Sequence, residues 1–375
     1  MKTILGIDLG TSSIKLILVN RSGTVLGAVT KDYPLHTRNP GWAEQNPADW
    51  ISALKDGMKD LSMSHPDEVA AIEGIGVTGQ MHGIVPIDGQ GNPVSEAMIW
   101  ADRRCNEEVK ELEGKFPIST WIDITGSRPN VSFSLPKILW FKRNKPELYR
   151  WTSYFLLPKD YIRFVLTGSF ATDESDASAT LMFDIKKKNW SEEILGEFDM
   201  PSTLLPPVYP STHQVGVLTS RGSSLLGIPA GIPVVCGLGD AQAQAIGNGV
   251  VSPGSWLCTI GTGGQIFTPV EEPTMDKDGR IHTLCHGEKE TWHLMGATLS
   301  AGASLQWLAT KVLNMDEEQK YEQLMELVPK SDIGSNGLLF LPYLFGERTP
   351  HMDSKVKGES ATLNWTIKLR SSRLN

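Results

Sequence analysis

A carboxylate, a tight turn and a run of hydroxyls stand together at Asp8-Leu9-Gly10-Thr11-Ser12-Ser13, with Lys15 close behind. Such a turn presents backbone N–H groups as an anion-binding nest, to which the hydroxyls of 11–13 add donors. Lys15 could offset phosphate charge, and a carboxylate at the strand end could hold Mg²⁺, an ion satisfied by few carboxylates together with phosphate and water. Alone, the segment reads equally as a serine-rich hairpin turn with a solvated aspartate. Gly261-Thr262-Gly263-Gly264 forms a second candidate nest. Alone it is a glycine-rich hairpin loop; the two together point to a nucleotide held between two domains. Asp240 follows the apolar run Val234-Val235-Cys236 and lies between Gly239 and Ala241, small neighbours that let a substrate approach. A carboxylate there can take the proton of a hydroxyl attacking a γ-phosphate. Position alone favours a helix N-cap, and the two roles are compatible. Gln80-Met81-His82-Gly83 sets polar groups at a strand end, where His82 could bond a sugar hydroxyl or carbonyl or serve the fold alone. Trp100-Ala101-Asp102-Arg103-Arg104 offers an aromatic face and fixed charges suited to a polyol, or a surface ion-pair cluster.

Those residues need strands and turns to place them. Residues 3–9 and 14–19 read as strands around the Gly10–Ser13 turn, and Thr24–Thr30 as a third after Arg21-Ser22-Gly23. The short spacing predicts an antiparallel meander. Asn46-Pro47 predicts a capped helix start, followed by Trp50, Leu54, Met58 and Leu61 at helical spacing. Strands are expected over 72–77 and 84–87, the second ending in the turn 88–91. Helices are expected over 135–142 and 160–166, the latter stopped by Gly168. A strand at 234–236 precedes a helix-compatible stretch at 241–246. Glycine and proline between Gly247 and Gly254 suggest a domain boundary, giving 1–246 and 247–375. Trp256–Phe267 echoes Leu5–Leu16 as strand, small turn, strand. Helices are expected over 299–313 and 316–328, with an apolar run at 338–344.

Bulk properties narrow the classes. Two domains are the default for 375 residues, with 40% hydrophobic and 21% charged residues. A net charge of −8 and the lack of a basic stripe argue against nucleic-acid binding. Cys105, Cys236, Cys258 and Cys285 form no CxxC pair, so reduced and mostly buried thiols are expected rather than zinc or disulfides. Asp8 interrupts the short apolar N-terminus, which resembles neither a signal peptide nor an anchor, and no apolar run approaches the roughly 18 residues of a membrane span. The expected compartment is the cytoplasm.

Taken in order, GIDLGTSS at 6–13, TGQMHG at 78–83, WADRR at 100–104, GLGDAQAQAIGNG at 237–249, TIGTGGQ at 259–265 and LPYLFGERTPH at 341–351 resemble the FGGY carbohydrate kinases. The resemblance implies an α/β fold of two ribonuclease-H-like domains of the actin-like ATPase type, the second incomplete. The sugar-binding domain is 1–246 and the nucleotide-binding domain 247–375. It implies ATP and Mg²⁺ as cofactors, and TGQMHG points to the branch that phosphorylates D-xylulose at its 5-hydroxyl. Another acceptor, such as gluconate, ribulose or a related polyol, is the alternative. By position, Asp240 is the catalytic base, and Asp8 supports catalysis and, with Asp240, holds Mg²⁺. Gly10, Thr11, Ser12 and Lys15, with Gly261, Thr262, Gly263 and Gly264, face the phosphates. Gln80, Met81, His82, Trp100, Asp102 and Arg103 are the candidate sugar contacts. Homodimers are expected, as in many members. Asn often follows the catalytic Asp in this branch; Ala241 stands here. Members run further, through a long helix and a glycine-rich motif that cradles adenine and ribose. No such motif follows His351, and Lys357–Asn375 is polar and basic without clear periodicity. The expectation is a reading frame lost near Gly358, a chain of low solubility, and either greatly reduced turnover or sugar binding alone.

Overall fold

Leu5, Ile7 and Leu9 alternate along the first strand and all three are buried, the period-2 pattern of a strand with one covered face. The computed structural model describes residues 2–316, 318–344, 346–353 and 355–362. β1 (Thr3–Leu9), β2 (Ser13–Asn20) and β3 (Val25–Asp32) form the expected antiparallel meander. α1 (Pro47–Ser64) starts at Asn46, whose side chain accepts from the Ala48 N–H at 3.0 Å, and it buries Trp50, Leu54, Met58 and Leu61. At Gly57 the helix lies against the sheet: a Cβ there would stand 2.8 Å from Leu16 Cδ1. The chain returns as β4 (Ile72–Gly79), parallel to β1. The meander therefore ends at three strands, and the fourth arrives by a helical crossover.

α2 (Ser134–Asn144) and α3 (Pro158–Thr167) lie where the apolar spacing puts them, and α3 ends on left-handed Gly168. All ten residues of α3 are buried, Lys159, Asp160 and Arg163 included. α4 (Glu174–Ala177), β5 (Gln214–Val217), β6 (Pro233–Val235), β7 (Leu238–Gly239) and α5 (Asp240–Gly247) follow. The sheet order is β5-β6-β4-β1-β2-β3, with β7 paired to the end of β4. One apolar core joins these strands to α1 and α3. A second gathers Trp121, Phe133, Leu135, Ile138 and Phe155 around α2.

The chain divides into two compact units, Met1–Ser255 with Pro269–Leu294, and Trp256–Thr268 with Met295–Asn375. In the second, β8 (Leu257–Ile260) and β9 (Gly264–Val270) make the expected strand–turn–strand. α6 (Gly302–Trp307) runs into a π-helical turn, Leu308–Val312. The helix expected from 299 thus begins at 302, because the N–H groups of Ala301 and Gly302 donate to Thr262 and Gly261 carbonyls at 2.9 and 2.8 Å. The helix expected over 316–328 is α7 (Lys320–Leu327); Pro329 lacks an N–H, and a 3₁₀ turn, Val328–Lys330, closes it. β10 (Leu338–Leu341) pairs antiparallel with β11 (Glu359–Thr362). The tail without periodicity therefore contributes a strand, and 363–375 lie outside the described residues. Cys105, Cys236 and Cys285 are buried, Cys258 is exposed, and none is disulfide-bonded. Among the described residues no helix is long and apolar enough to cross a membrane.

Candidate active site

Parallel pairing aligns the C-terminal ends of β1, β4 and β7. Asp8 lies opposite Thr78, Leu9 opposite Gly79, and Gly79 opposite Gly239. Asp240 comes next, as the first residue of α5. The sheet thereby brings two carboxylates from distant parts of the sequence to one end. Asp240 reaches solvent yet is densely surrounded by protein. That crowding, with the charge of Asp8 second, raises its carboxyl to about 7, against the pull of the Ala241 N–H at 2.7 Å from Oδ1. Burial also raises Asp8, partly offset by Lys15, its cross-strand partner. Gly239, not Asp240, holds the N-cap position, so of the two roles open to this aspartate the cap belongs to its neighbour.

The Gly10–Ser13 turn is braced from behind. Tyr33 Oη donates to the carbonyls of Gly10 and, at 3.1 Å, Ser13. Gln45 Nε2 donates to Thr11 O at 2.6 Å, and Gln80 Nε2 to Gly10 O at 3.3 Å and Gln45 Oε1 at 2.8 Å. Trp50 Nε1 donates to the same Gln45 oxygen at 3.2 Å. Trp100 Nε1 donates to Thr11 Oγ1 at 2.9 Å. The Gly10 N–H is spent on Ser13 O at 3.0 Å, so the turn's anion donors reduce to the amides and hydroxyls beyond it, Thr11 and Ser12 first. In the second unit the Gly261 N–H bonds Gly263 O at 2.9 Å and the Gly264 N–H bonds Thr298 Oγ1 at 3.2 Å. Thr262 and Gly263 keep the donors of that nest, and a Cβ at 263 would stand 2.5 Å from Thr298 O.

The candidate sugar contacts divide. Met81 is buried against Ala179 and Leu284, with Ala241 beside them. His82 sits at φ 67°, a left-handed conformation that costs a non-glycine residue about 1 kcal/mol or more. Its Nδ1–H donates to Ala179 O at 2.7 Å, since a carbonyl only accepts. The ring meets Phe133 edge-on, and Ser134 Oγ donates to His82 O at 3.1 Å. Trp100 is half-buried and Arg103 is exposed. Two candidates are corrected by their surroundings. Asp102 is fully buried, and its oxygens take the Ala43 N–H at 2.7 Å and the Arg104 backbone and guanidinium. Arg104 in turn lies 3.4 Å over the Trp42 ring, with Trp140 also near. The pair is an internal clamp on the 100–104 loop, neither a sugar contact nor a surface cluster. Gln80 is likewise fully buried behind the Gly10 turn.

Residues that sequence reasoning missed include Tyr33, Gln45 and a buried charge cluster behind the strand ends. Lys159 Nζ lies 2.6 Å from Asp160 Oδ1, 2.9 Å from Asp173 Oδ1 and 3.6 Å from Asp176 Oδ2, all with no exposed surface. Arg163 Nη1 reaches Asp160 Oδ1 at 2.7 Å. Burial and neighbouring carboxylates push Asp176 well above the ordinary range. The run Thr172–Ser178 carries no basic residue to announce this pairing and reads as a polar surface turn.

Among the described residues no group of three or more His, Cys, Asp or Glu is placed to hold a metal ion. Asp8 Oδ1 is buried with no hydrogen-bond partner, and Asp240 is near it. One or two carboxylates with an unspent oxygen suit Mg²⁺, which completes its shell with phosphate and water.

The FGGY carbohydrate kinase N-terminal domain matches residues 3–247, and the FGGY C-terminal domain matches 256–366. A xylulose kinase of Bacillus subtilis (strain 168) is 40% identical over 358 residues, 96% of this chain and 71% of that protein. One of Escherichia coli (strain K12) is 36% identical over 354 residues, 94% of this chain and 71% of that protein. The crystal structure of a xyloylose kinase from Brucella ovis matches with a TM-score of 0.91 at 33% identity, covering 97% of this chain and 74% of that one. The fold is the two-domain ribonuclease-H-like arrangement of the actin-like ATPases. With both domains matched in order, the chain belongs to the FGGY family of carbohydrate kinases.

Proposed function

We propose that the chain transfers the γ-phosphoryl group of ATP to the 5-hydroxyl of D-xylulose, giving D-xylulose 5-phosphate, with Asp240 as general base. The observation that carries the reading is the placement of Asp240 beside Asp8 at the shared end of β1, β4 and β7, where crowding raises the Asp240 carboxyl to about 7. A base at that value is half-ionised near neutrality and takes up the hydroxyl proton as the oxygen attacks phosphorus. The xylulose kinases among the relatives supply the acceptor. Asp8 and Asp240 would hold Mg²⁺, which when bound neutralises charge on the phosphate oxygens. Thr11, Ser12 and Lys15, with the loop Gly261–Gly264, serve the phosphates. Met81 and His82 hold the sugar, with Trp100 and Arg103 beside them. Residues 1–246 form the sugar half and 247–375 the nucleotide half, working in the cytoplasm as a homodimer.

A coupled ADP-release assay over D-xylulose, D-ribulose, D-gluconate and glycerol tests the acceptor. The highest kcat/KM is expected for D-xylulose. A higher value for another acceptor overturns the sugar assignment, and sugar-dependent ADP release undiminished in Asp240→Asn overturns the base.

A further inference from the structure

The peptide leading into Asp240 is fixed at nearly every polar atom. Cys236 O accepts from Arg163 Nη1 at 2.8 Å, and the Gly237 N–H donates to Ser211 O at 3.0 Å. Gly237 sits at φ +82°, where a Cβ would stand 1.9 Å from Val77 O, so the segment lies directly on β4. Leu238 and Gly239 pair with Thr78 and Gly79. The last backbone N–H before that of Asp240, on Gly239, donates to a side chain: Ser175 Oγ, at 3.1 Å. That hydroxyl donates its own proton to Asp173 Oδ2 at 2.5 Å, and the Ser175 N–H reaches the same oxygen at 2.9 Å. Asp173 is compensated on its other oxygen by Lys159 at 2.9 Å. Ser175, Asp173 and Lys159 are all fully buried.

We propose that Ser175, oriented by the buried Asp173 carboxylate, is a positioning residue for Asp240, setting the peptide from which the base projects. The chemistry is directional. An ionised acceptor fixes the rotor of the serine hydroxyl and polarises its oxygen, which makes that oxygen a stronger acceptor for Gly239. A base must reach the attacking hydroxyl within hydrogen-bond distance, so a small displacement of its backbone is felt in the chemical step. The inference rests on the reading of Asp240 as the base.

The structure contains its own control. Ser211 Oγ donates to the same Asp173 oxygen at 2.7 Å, but its hydroxyl has no bond to the 236–240 segment. Ser175→Ala and Ser211→Ala each remove one hydroxyl from Asp173, and only the first releases Gly239. Single-turnover transfer from γ-labelled ATP to D-xylulose, measured above the Asp240→Asn floor, should fall roughly ten- to a hundredfold in Ser175→Ala with KM for the sugar unchanged. Ser211→Ala should stay within about twofold of wild type despite a comparable drop in Tm. Ser175→Cys, which keeps the volume with a weaker acceptor, should fall between. In parallel, ¹³C-carboxyl-labelled aspartate assigns Asp240 by the signal lost in Asp240→Asn, whether or not the chain turns over. Its carboxyl shift, read at one alkaline pH, should move in Ser175→Ala and hold in Ser211→Ala. If Asp240→Asn keeps wild-type turnover, the base assignment fails. If Asp240→Asn is inactive while Ser175→Ala matches Ser211→Ala in rate and carboxyl shift, the positioning role is overturned. Where wild type shows no turnover, the carboxyl shift decides: an unmoved signal in Ser175→Ala sinks the proposal.

Discussion

At the scale of single residues, one carboxyl carries two opposed demands. Asp240 must be ionised to act as a base, yet its surroundings favour the proton. The rate should therefore rise with pH, kcat/KM climbing about tenfold per unit below about 7 and levelling above it, whereas an ordinary carboxylate would place the bend near 4. Asp240→Asn should lower kcat by about 10²–10⁴-fold. The same crowding weakens the fold in a defined window. The unfolded chain releases this proton near the ordinary carboxylate value, and the folded chain holds it to about 7. Unfolding therefore releases a proton between those values, and stability falls as pH rises through them. Asp240→Asn removes the charge, so it should raise Tm at pH 8 and leave it little changed at pH 4 in thermal scans. An equal effect at both values would trace the change to packing instead of ionisation.

At the scale of elements, Gln45 connects α1 to the Gly10–Ser13 turn. It is fully buried and serves Thr11 O, Gln80 Nε2 and Trp50 Nε1 at once. Gln45→Leu keeps the volume and takes a partner from all three groups, leaving the buried Trp50 Nε1 without the acceptor it has here while Gln80 Nε2 keeps only Gly10 O. A loss of about 2–4 kcal/mol in urea denaturation is expected, with KM for ATP rising more than KM for the sugar. Unchanged nucleotide affinity would confine Gln45 to the fold. This bracing marks the limit of what the sequence discloses. The Gly10 turn, the Asn46 cap of α1 and the Gly168 stop of α3 are local signals and were legible, because each rests on residues a few positions apart. The Asp173–Ser211 and Ser175–Gly239 bonds span 38 and 64 positions, and only the sheet order brings them together. Asp102 misled for the same reason: its run of charges reads as surface until Ala43 and the Trp42 and Trp140 rings close over it. The start of α6 was misread because Thr262 and Gly261, far upstream, hold Ala301 and Gly302 in a turn.

At the scale of the whole molecule, the two units spend their apolar residues differently. The first encloses charge as well as hydrocarbon: Lys159 stands among three carboxylates with no solvent to screen them. Lys159→Met should cost about 3–5 kcal/mol, because it leaves buried carboxylates without their cation, and the loss should shrink in acid, where they take up protons. The second unit leaves apolar residues uncovered. Leu338, Leu339, Phe340 and Leu341 form a run of the kind found in strands covered on both faces, yet all four residues of β10 are exposed. Phe340 is stacked on Trp307, itself 39% exposed. Apolar surface of this extent on one unit favours association, since each buried Å² is worth about 25 cal/mol. Sedimentation velocity should therefore show a weight-average coefficient that rises with protein concentration. The pair Leu339→Lys and Phe340→Lys should flatten that rise and lower the fluorescence of a bound apolar dye. The unfolding midpoint of the first unit should not move, because neither residue belongs to its core. A coefficient that stays concentration-dependent in the double variant would place the adhesive surface elsewhere.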